Sequence, residues 1–381
     1  MPSTFKSPGV YWKDLFLRPD AKLPTGIPGF VGFAIPKDNT LPPSPVTLHR
    51  KEEFPALFES VPESHLTEVI NGFFDNGGLR CYLSAADPAG DREQGLMKGI
   101  DRLSPLNDLD LVAAPDAVTL RKPDQSLDRE AVLRVQRGLL EHCKKEGDRF
   151  ALLDPLPEST PEAVLAQRGD LMINQEEPVN GALYYPWVRT ADLLVPPSGH
   201  VAGIVARTDA KAGVFKAPAN EELLGVIDLE IQINNALQDQ LNPEGVNCLR
   251  PFPGRGIRLW GARTLSRDPN WRYVNVRRLF LTLGRWIDAN MRWATFEPND
   301  PRLWVRIQRE LGVYLAGLRR AGALKGATAE EAFYIKCDAE TNPPAQRESG
   351  EVVTEIGLAP LSPAEFVVVR IIHRVGSVET R

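Results

Sequence analysis

From residue 65 to residue 190 short apolar runs alternate with segments of helical period, and no other feature constrains the fold as strongly. The runs at 79–84, 109–114, 150–153 and 182–185 are bounded by turn residues and read as strands. Between them, residues 128–146 place Val132, Leu133, Leu139, Leu140 and Cys143 at helical spacing, with Gln136 as a polar member of the same stripe. Gly147 is positioned to end that helix. Strands and helices in alternation predict an α/β unit, a mainly parallel sheet covered by helices. A further buried strand is expected at 29–34, followed by a connection containing Pro36, Pro42, Pro43 and Pro45.

The second half reads differently. Residues 275–293 form an amphipathic helix with Val276, Leu279, Phe280, Leu283, Ile287 and Met291 on one face. Residues 302–320 form another, with Leu303, Ile307, Leu311, Tyr314, Leu315 and Leu318. Strands are expected at 332–336, 351–356 and 365–372, which makes this part α+β. At 381 residues, 43% hydrophobic and 25% charged, the chain has the size and composition of two or three globular domains. Its first residues carry no apolar signal core, and no run approaches the ~20 apolar residues of a membrane span. Synthesis and assembly in a cytoplasm, without membrane insertion, are therefore expected.

Motifs for chemistry are weak. The stretch 249–279 contains Gly254-Arg255-Gly256-Ile257-Arg258-Leu259-Trp260-Gly261, which resembles a nucleotide loop. The third glycine falls one residue late for GxGxxG, and Ala262-Arg263 stands where a phosphate loop needs Lys-Ser/Thr. A tight turn between Pro253 and a strand at 257–260 is the expectation. Asp87, Asp116 and Asp154 each follow a predicted strand, where open α/β sheets gather ligands. Together they could hold magnesium in a hydrolase, although aspartate is also an ordinary turn residue, and the turn reading is favoured. The sequence has no GxSxG elbow, and Ser198-Gly199-His200 is expected in a Pro-Gly-rich loop. Cys81, Cys143, Cys248 and Cys337 form no CxxC pair, and the five histidines form no HExxH. No catalytic residue, metal site or cofactor is assigned.

Charge is more informative. Residues 250–320 hold 15 arginines, no lysine and five acids, a net +10 within a chain of net −5. Such asymmetry fits nucleic acid, an acidic partner, or basic and acidic faces that meet in a polymer. Arginine without lysine favours ordered ion pairs over loose phosphate attraction, and the acidic total weakens the nucleic-acid reading. Arg302, Arg306, Arg309 and Arg320 fall opposite the apolar stripe of the 302–320 helix. They make either a solvated face or a docking face. Near the ends lie Val10, Tyr11 and Trp12 in an extended arm and Phe366, Val368, Arg370 and Ile372 in an apolar strand. Unpaired, such edges aggregate. They pair with one another or add to a neighbour's sheet.

Several segments, taken in order, resemble contractile tail sheath proteins of phages and phage-like injection systems. They include Pro8-Gly9-Val10-Tyr11, Thr25-Gly26-Ile27-Pro28-Gly29-Phe30 and Phe73-Phe74-Asp75-Asn76-Gly77-Gly78. Further along come Ala206-Arg207-Thr208-Asp209, the block 249–279, Phe296-Glu297-Pro298-Asn299 and Pro363-Ala364-Glu365-Phe366. The compact length is more similar to injection-system sheaths than to many phage sheaths, and the two-protein type VI sheath fits less well. The resemblance implies an arm and strand at 1–40 that complete the C-terminal core. It implies an inserted α/β domain at 41–244, subtilisin-like in fold but without a triad, and a sheath core at 245–381. It implies a structural protein, not an enzyme, whose arms complete neighbouring subunits' sheets. The implied partners are copies of the chain, an inner tube protein, and baseplate and tail-terminator or cap proteins, with no nucleic acid.

Overall fold

The computed structural model describes residues 23–173, 175–191 and 193–365. Val10, Tyr11, Trp12, Phe366, Val368, Arg370 and Ile372 lie outside them. The body is one nine-stranded sheet. Its strands, in chain order, are β1 (Pro28–Phe33), β2 (Val46–Leu48), β3 (Cys81–Ala86), β4 (Leu111–Ala113), β5 (Phe150–Leu153), β6 (Gly181–Tyr185), β7 (Glu221–Glu222), β8 (Val246–Phe252) and β9 (Gly256–Leu259). Their spatial order is β7-β9-β8-β6-β5-β4-β1-β3-β2. The six strands from β8 to β3 run parallel, and β2, β9 and β7 pair antiparallel at the edges. Every residue of β1, β3, β4, β5 and β6 is buried, as expected where helices cover both faces. The core accordingly divides into two large apolar clusters.

The long helix behaves as its sequence predicts. It spans Arg129–Glu146, the Asp128 side chain accepts the Ala131 N–H at its start, and Gly147 closes it with φ +71°. Gln136 is buried because its amide donates to the Asp154 carbonyl and accepts from Gln167. The loop expected around Ser198 is instead the first turn of a helix, Ser198–Ala212, packed on Leu66–Asp75. Gly199 and Gly203 explain the difference. A Cβ at Gly199 would lie 2.2 Å from the Val69 carbonyl oxygen, and one at Gly203 2.5 Å from that of Phe73. The glycines that suggested a loop allow two helix backbones to approach closely.

The N-terminal strand requires a correction. β1 does not complete the C-terminal core; it lies inside the parallel sheet, between β3 and β4. The register pairs Gly29–Phe33 with Tyr82–Ala86 and Pro28–Phe30 with Leu111–Ala113. An all-apolar strand with hydrogen-bond partners on both sides belongs in the middle of such a sheet. The same sheet continues through β8 and β9, so it crosses both expected divisions, at residues 40 and 244.

Beyond the sheet, two long helices, Val274–Asn290 and Pro301–Arg320, pack through Trp286 stacked on Tyr314 at 4.0 Å. A two-stranded antiparallel sheet, Phe333–Lys336 with Glu355–Leu358, lies against the second helix. Residues 351–354 stay out of the strand expected at 351–356. There the Asn342 side chain occupies both backbone groups of Val353.

Candidate functional site

The three aspartates do not form a site. Asp87 is exposed and accepts the Ala89 N–H within a turn. Asp116 is fully buried, with its carboxylate accepting from Phe33 N–H, His65 N–H and Ser64 Oγ, each at 2.7 Å. It lies past the ends of β1 and β4, where successive strands change from one side of β1 to the other. Open α/β sheets gather ligands at that switch point. Here a carboxylate committed to three protein donors fills it. Asp154 is also buried and accepts the Ser198 N–H at 2.8 Å. Burial pushes Asp116 up to about 6 and Asp154 up to about 7. Among the described residues no three His, Cys, Asp or Glu side chains gather to hold a metal ion. The magnesium-hydrolase alternative is therefore corrected: its carboxylates are separated between an exposed turn and two buried backbone clamps.

The glycine loop is the turn of the β8–β9 hairpin. Phe252 pairs with Gly256, and Gly254 and Gly256 supply φ of +71° and +72°. Arg258 turns back to the Asn220 carbonyl, so the loop does not present a row of cations to a phosphate.

Many arginines of the +10 segment are spent on the protein itself. Arg250 donates to the Ile233 carbonyl and Arg285 to that of Pro24. Arg277 stacks over Trp271, and Arg306 stacks over Trp293 while pairing with Glu310. This use of arginine on specific acceptors removes support from the nucleic-acid module. Arg302, Arg306, Arg309 and Arg320 do share the exposed face of Pro301–Arg320, together with Val305 and Val313. The opposite stripe, Leu303, Ile307, Leu311 and Leu315, is buried.

Two polar junctions, the first buried and the second part-buried, lie where the described chain meets its terminal segments. At the N-terminal side, the Gly26 and Ile27 N–H groups donate to Asp110 Oδ2 and Oδ1 at 3.0 and 2.7 Å. Arg278, 2% exposed, donates to Asp110 at 2.7 Å and to both oxygens of Asp209 at 3.0 and 2.6 Å. Burial alone would depress the Arg278 guanidinium. Asp209 and Asp110 more than offset that and hold it above its ordinary value. At the C-terminal side, Arg263 Nε donates to Glu365 at 2.9 Å, with Nη2 beside the second oxygen. Arg263 is fixed in turn by Asn247, which accepts its N–H and donates to its carbonyl. Sequence reasoning missed Asp110, Asp209, Arg263, Arg278 and Glu365 as interacting residues. Four of them stand at the 249–279 block or within quoted segments, yet their partners lie 69 to 168 residues away.

Residues 113–265 match the family model described as the phage tail sheath protein central domain. Residues 266–374 match that of the phage tail sheath C-terminal domain. The tail sheath protein of Vibrio phage KVP40 is 28% identical over 177 residues, 45% of this chain and 26% of that relative. The chain thus aligns with about a quarter of that relative's length. It is similar end to end to a solved chain of the anti-feeding prophage helical sheath in the contracted state. That match has 30% identity and a TM-score of 0.74 and covers 97% of this chain and 99% of the other. The PVC sheath complex of an extracellular contractile injection system, also contracted, matches at 27% identity and TM-score 0.72. It covers 98% of this chain and 99% of the other.

Proposed function

Because the chain belongs to the phage tail sheath family, a family of structural proteins rather than enzymes, we propose that it is one subunit of a contractile sheath. Subunits polymerise in helical register around an inner tube, in an extended, metastable state. A baseplate trigger releases them, and they repack into a shorter, wider lattice that drives the tube through a target envelope. The work comes from the difference in interface energy between two states. The observation that carries this reading is the near-complete match to the contracted anti-feeding prophage sheath. The 27% identity over nearly all of this chain to the PVC sheath of an extracellular contractile injection system favours an injection-system sheath.

The arms are assigned to exchange between subunits. Val10, Tyr11 and Trp12 of one copy and Phe366, Val368, Arg370 and Ile372 of another would add strands to a neighbour's sheet. The sheet formed by Phe333–Lys336 and Glu355–Leu358 supports this, since two strands are marginal alone and open edges invite pairing. The outer face of Pro301–Arg320, with Arg302, Arg306, Arg309 and Arg320, is the candidate grip on the tube. The remaining partners are baseplate and tail-terminator or cap proteins, and assembly occurs in the producing cell's cytoplasm. Among the described residues no helix is long and apolar enough to cross a membrane. A subtilisin-like description of the α/β unit belongs to the same reading, supported by its six parallel strands under helices on both faces.

Co-expression with the tube protein and negative-stain microscopy tests this reading. Hollow cylinders are expected. A chain that stays monomeric with its tube protein would sink the proposal. Deleting residues 1–17 should abolish cylinders and leave a folded monomer; cylinders that still form would remove arm exchange. Replacing Arg302 and Arg309 together by glutamate should leave the melting temperature of the monomer nearly unchanged. Exposed substitutions of this kind each shift stability by only about 0.5 kcal/mol. The same variant should fail to assemble on the tube, and normal cylinders would remove the grip.

A further inference from the structure

The helix Val274–Asn290 touches the roots of both arms. Just before it, Tyr273, and across a β-bridge from Tyr273 also Arg263, hold Glu365, the last described residue before the C-terminal segment. In its first turn Asn275 donates to the Leu361 carbonyl. Arg278 follows, gripping Asp110, whose two oxygens accept the Gly26 and Ile27 N–H groups. Seven residues later, about 10 Å along the axis, Arg285 donates to the Pro24 carbonyl.

Resting on the arm-exchange reading, we propose that this helix is the strut that carries tension between the two arms of a subunit. Arg278–Asp110 fixes its N-terminal arm and Arg263–Glu365 its C-terminal arm. The chemistry suits the role. Both fixings are charge-assisted, and Arg278 with Asp209 and Arg263 with Glu365 are two-point contacts, which resist a change of angle as well as separation. Both are largely withdrawn from water, so salt screens them little. Asp110 immediately precedes β4, and its own N–H donates to the Ile27 carbonyl. A pull on the N-terminal arm therefore meets the Asp110 carboxylate and Arg278 before it can shear β1 from β3 and β4. Tension crosses from Glu365 through Arg263, which Asn247 of β8 also holds, and through the Arg263–Tyr273 bridge into the helix, without first shearing β1 from β3 and β4.

Force spectroscopy on the isolated full-length monomer, held by its two ends, reads this without any assembly. Glu365→Gln is expected to lower the force of the first yielding event by roughly a factor of two, in line with the strength of charge-assisted over neutral hydrogen bonds. Glu365→Asp should recover part of it. With handles moved to cysteines introduced at the exposed Leu79 and Ile173, Glu365→Gln and wild type should yield at equal force. The four native cysteines are buried and will not compete for the handles. Equal forces in the end-to-end geometry would overturn the strut. So would a similar drop in both geometries, which would mark a general loss of stability. Failure of the wild type to form cylinders would overturn the sheath reading, and cylinders from the 1–17 deletion would overturn arm exchange, while the rupture forces would still decide how tension crosses the monomer.

Discussion

Arg278 sits 2% exposed between two carboxylates, so its worth to the fold is the cost of leaving them alone. Arg278→Met should destabilise the monomer by about 3–5 kcal/mol, the range for breaking a buried ion pair from one side. Urea denaturation measures it, and a loss below about 1 kcal/mol, the scale of an exposed pair, would show that the junction is solvated. Asp154 behaves oppositely. Its ordinary value is about 4, and burial raises it to about 7. Between those pH values the folded protein keeps a proton that the unfolded chain has released. Stability from this group is thus present in acid and lost as pH rises through about 7. Asp154→Asn keeps an acceptor for the Ser198 N–H and removes the titration. Its stability relative to wild type should rise between pH 5 and pH 8 in paired denaturant melts; an equal gap at both would refute the assignment.

At the scale of elements, the helices were legible where local signals agreed. An apolar stripe and Gly147 define one helix to within a residue of its observed limits. Strand limits were less legible because pairing sets them. The run expected at 79–84 is observed at Cys81–Ala86, with Leu79 left 78% exposed, since β1 offers partners only from Gly29 to Phe33. The helix at Ser198–Ala212 was misread because glycine serves a turn and a close helix crossing equally well, and only the partner distinguishes them. Gly199→Ala tests that crossing. Its Cβ would meet backbone rather than a flexible side chain, so a loss of about 1–3 kcal/mol or more is expected. A variant that melts with wild type would mean the helices can separate at little cost.

For the whole molecule, the alternating pattern was sufficient to predict an α/β sheet, and the family resemblance pointed to a sheath. Neither revealed that the first strand among the described residues lies mid-sheet, because a fully apolar run fits any buried slot. Removing residues 1–22 should leave a folded monomer. Removing 1–40 should abolish folding, since β3 and β4 would both lose their shared partner. Circular dichroism and gel filtration distinguish the two outcomes, and a compact, folded 41–381 chain would contradict the central role of β1. That position also has a consequence during synthesis. On the ribosome β1 emerges early, but its partners follow only with residues 81–86 and 111–113, and β8 and β9 later still. A nascent chain therefore holds an apolar strand without a slot for much of its translation. Neighbouring nascent chains on one message would present the same strand to each other, which makes elongation rate and chaperone access a control on how much subunit ever reaches assembly.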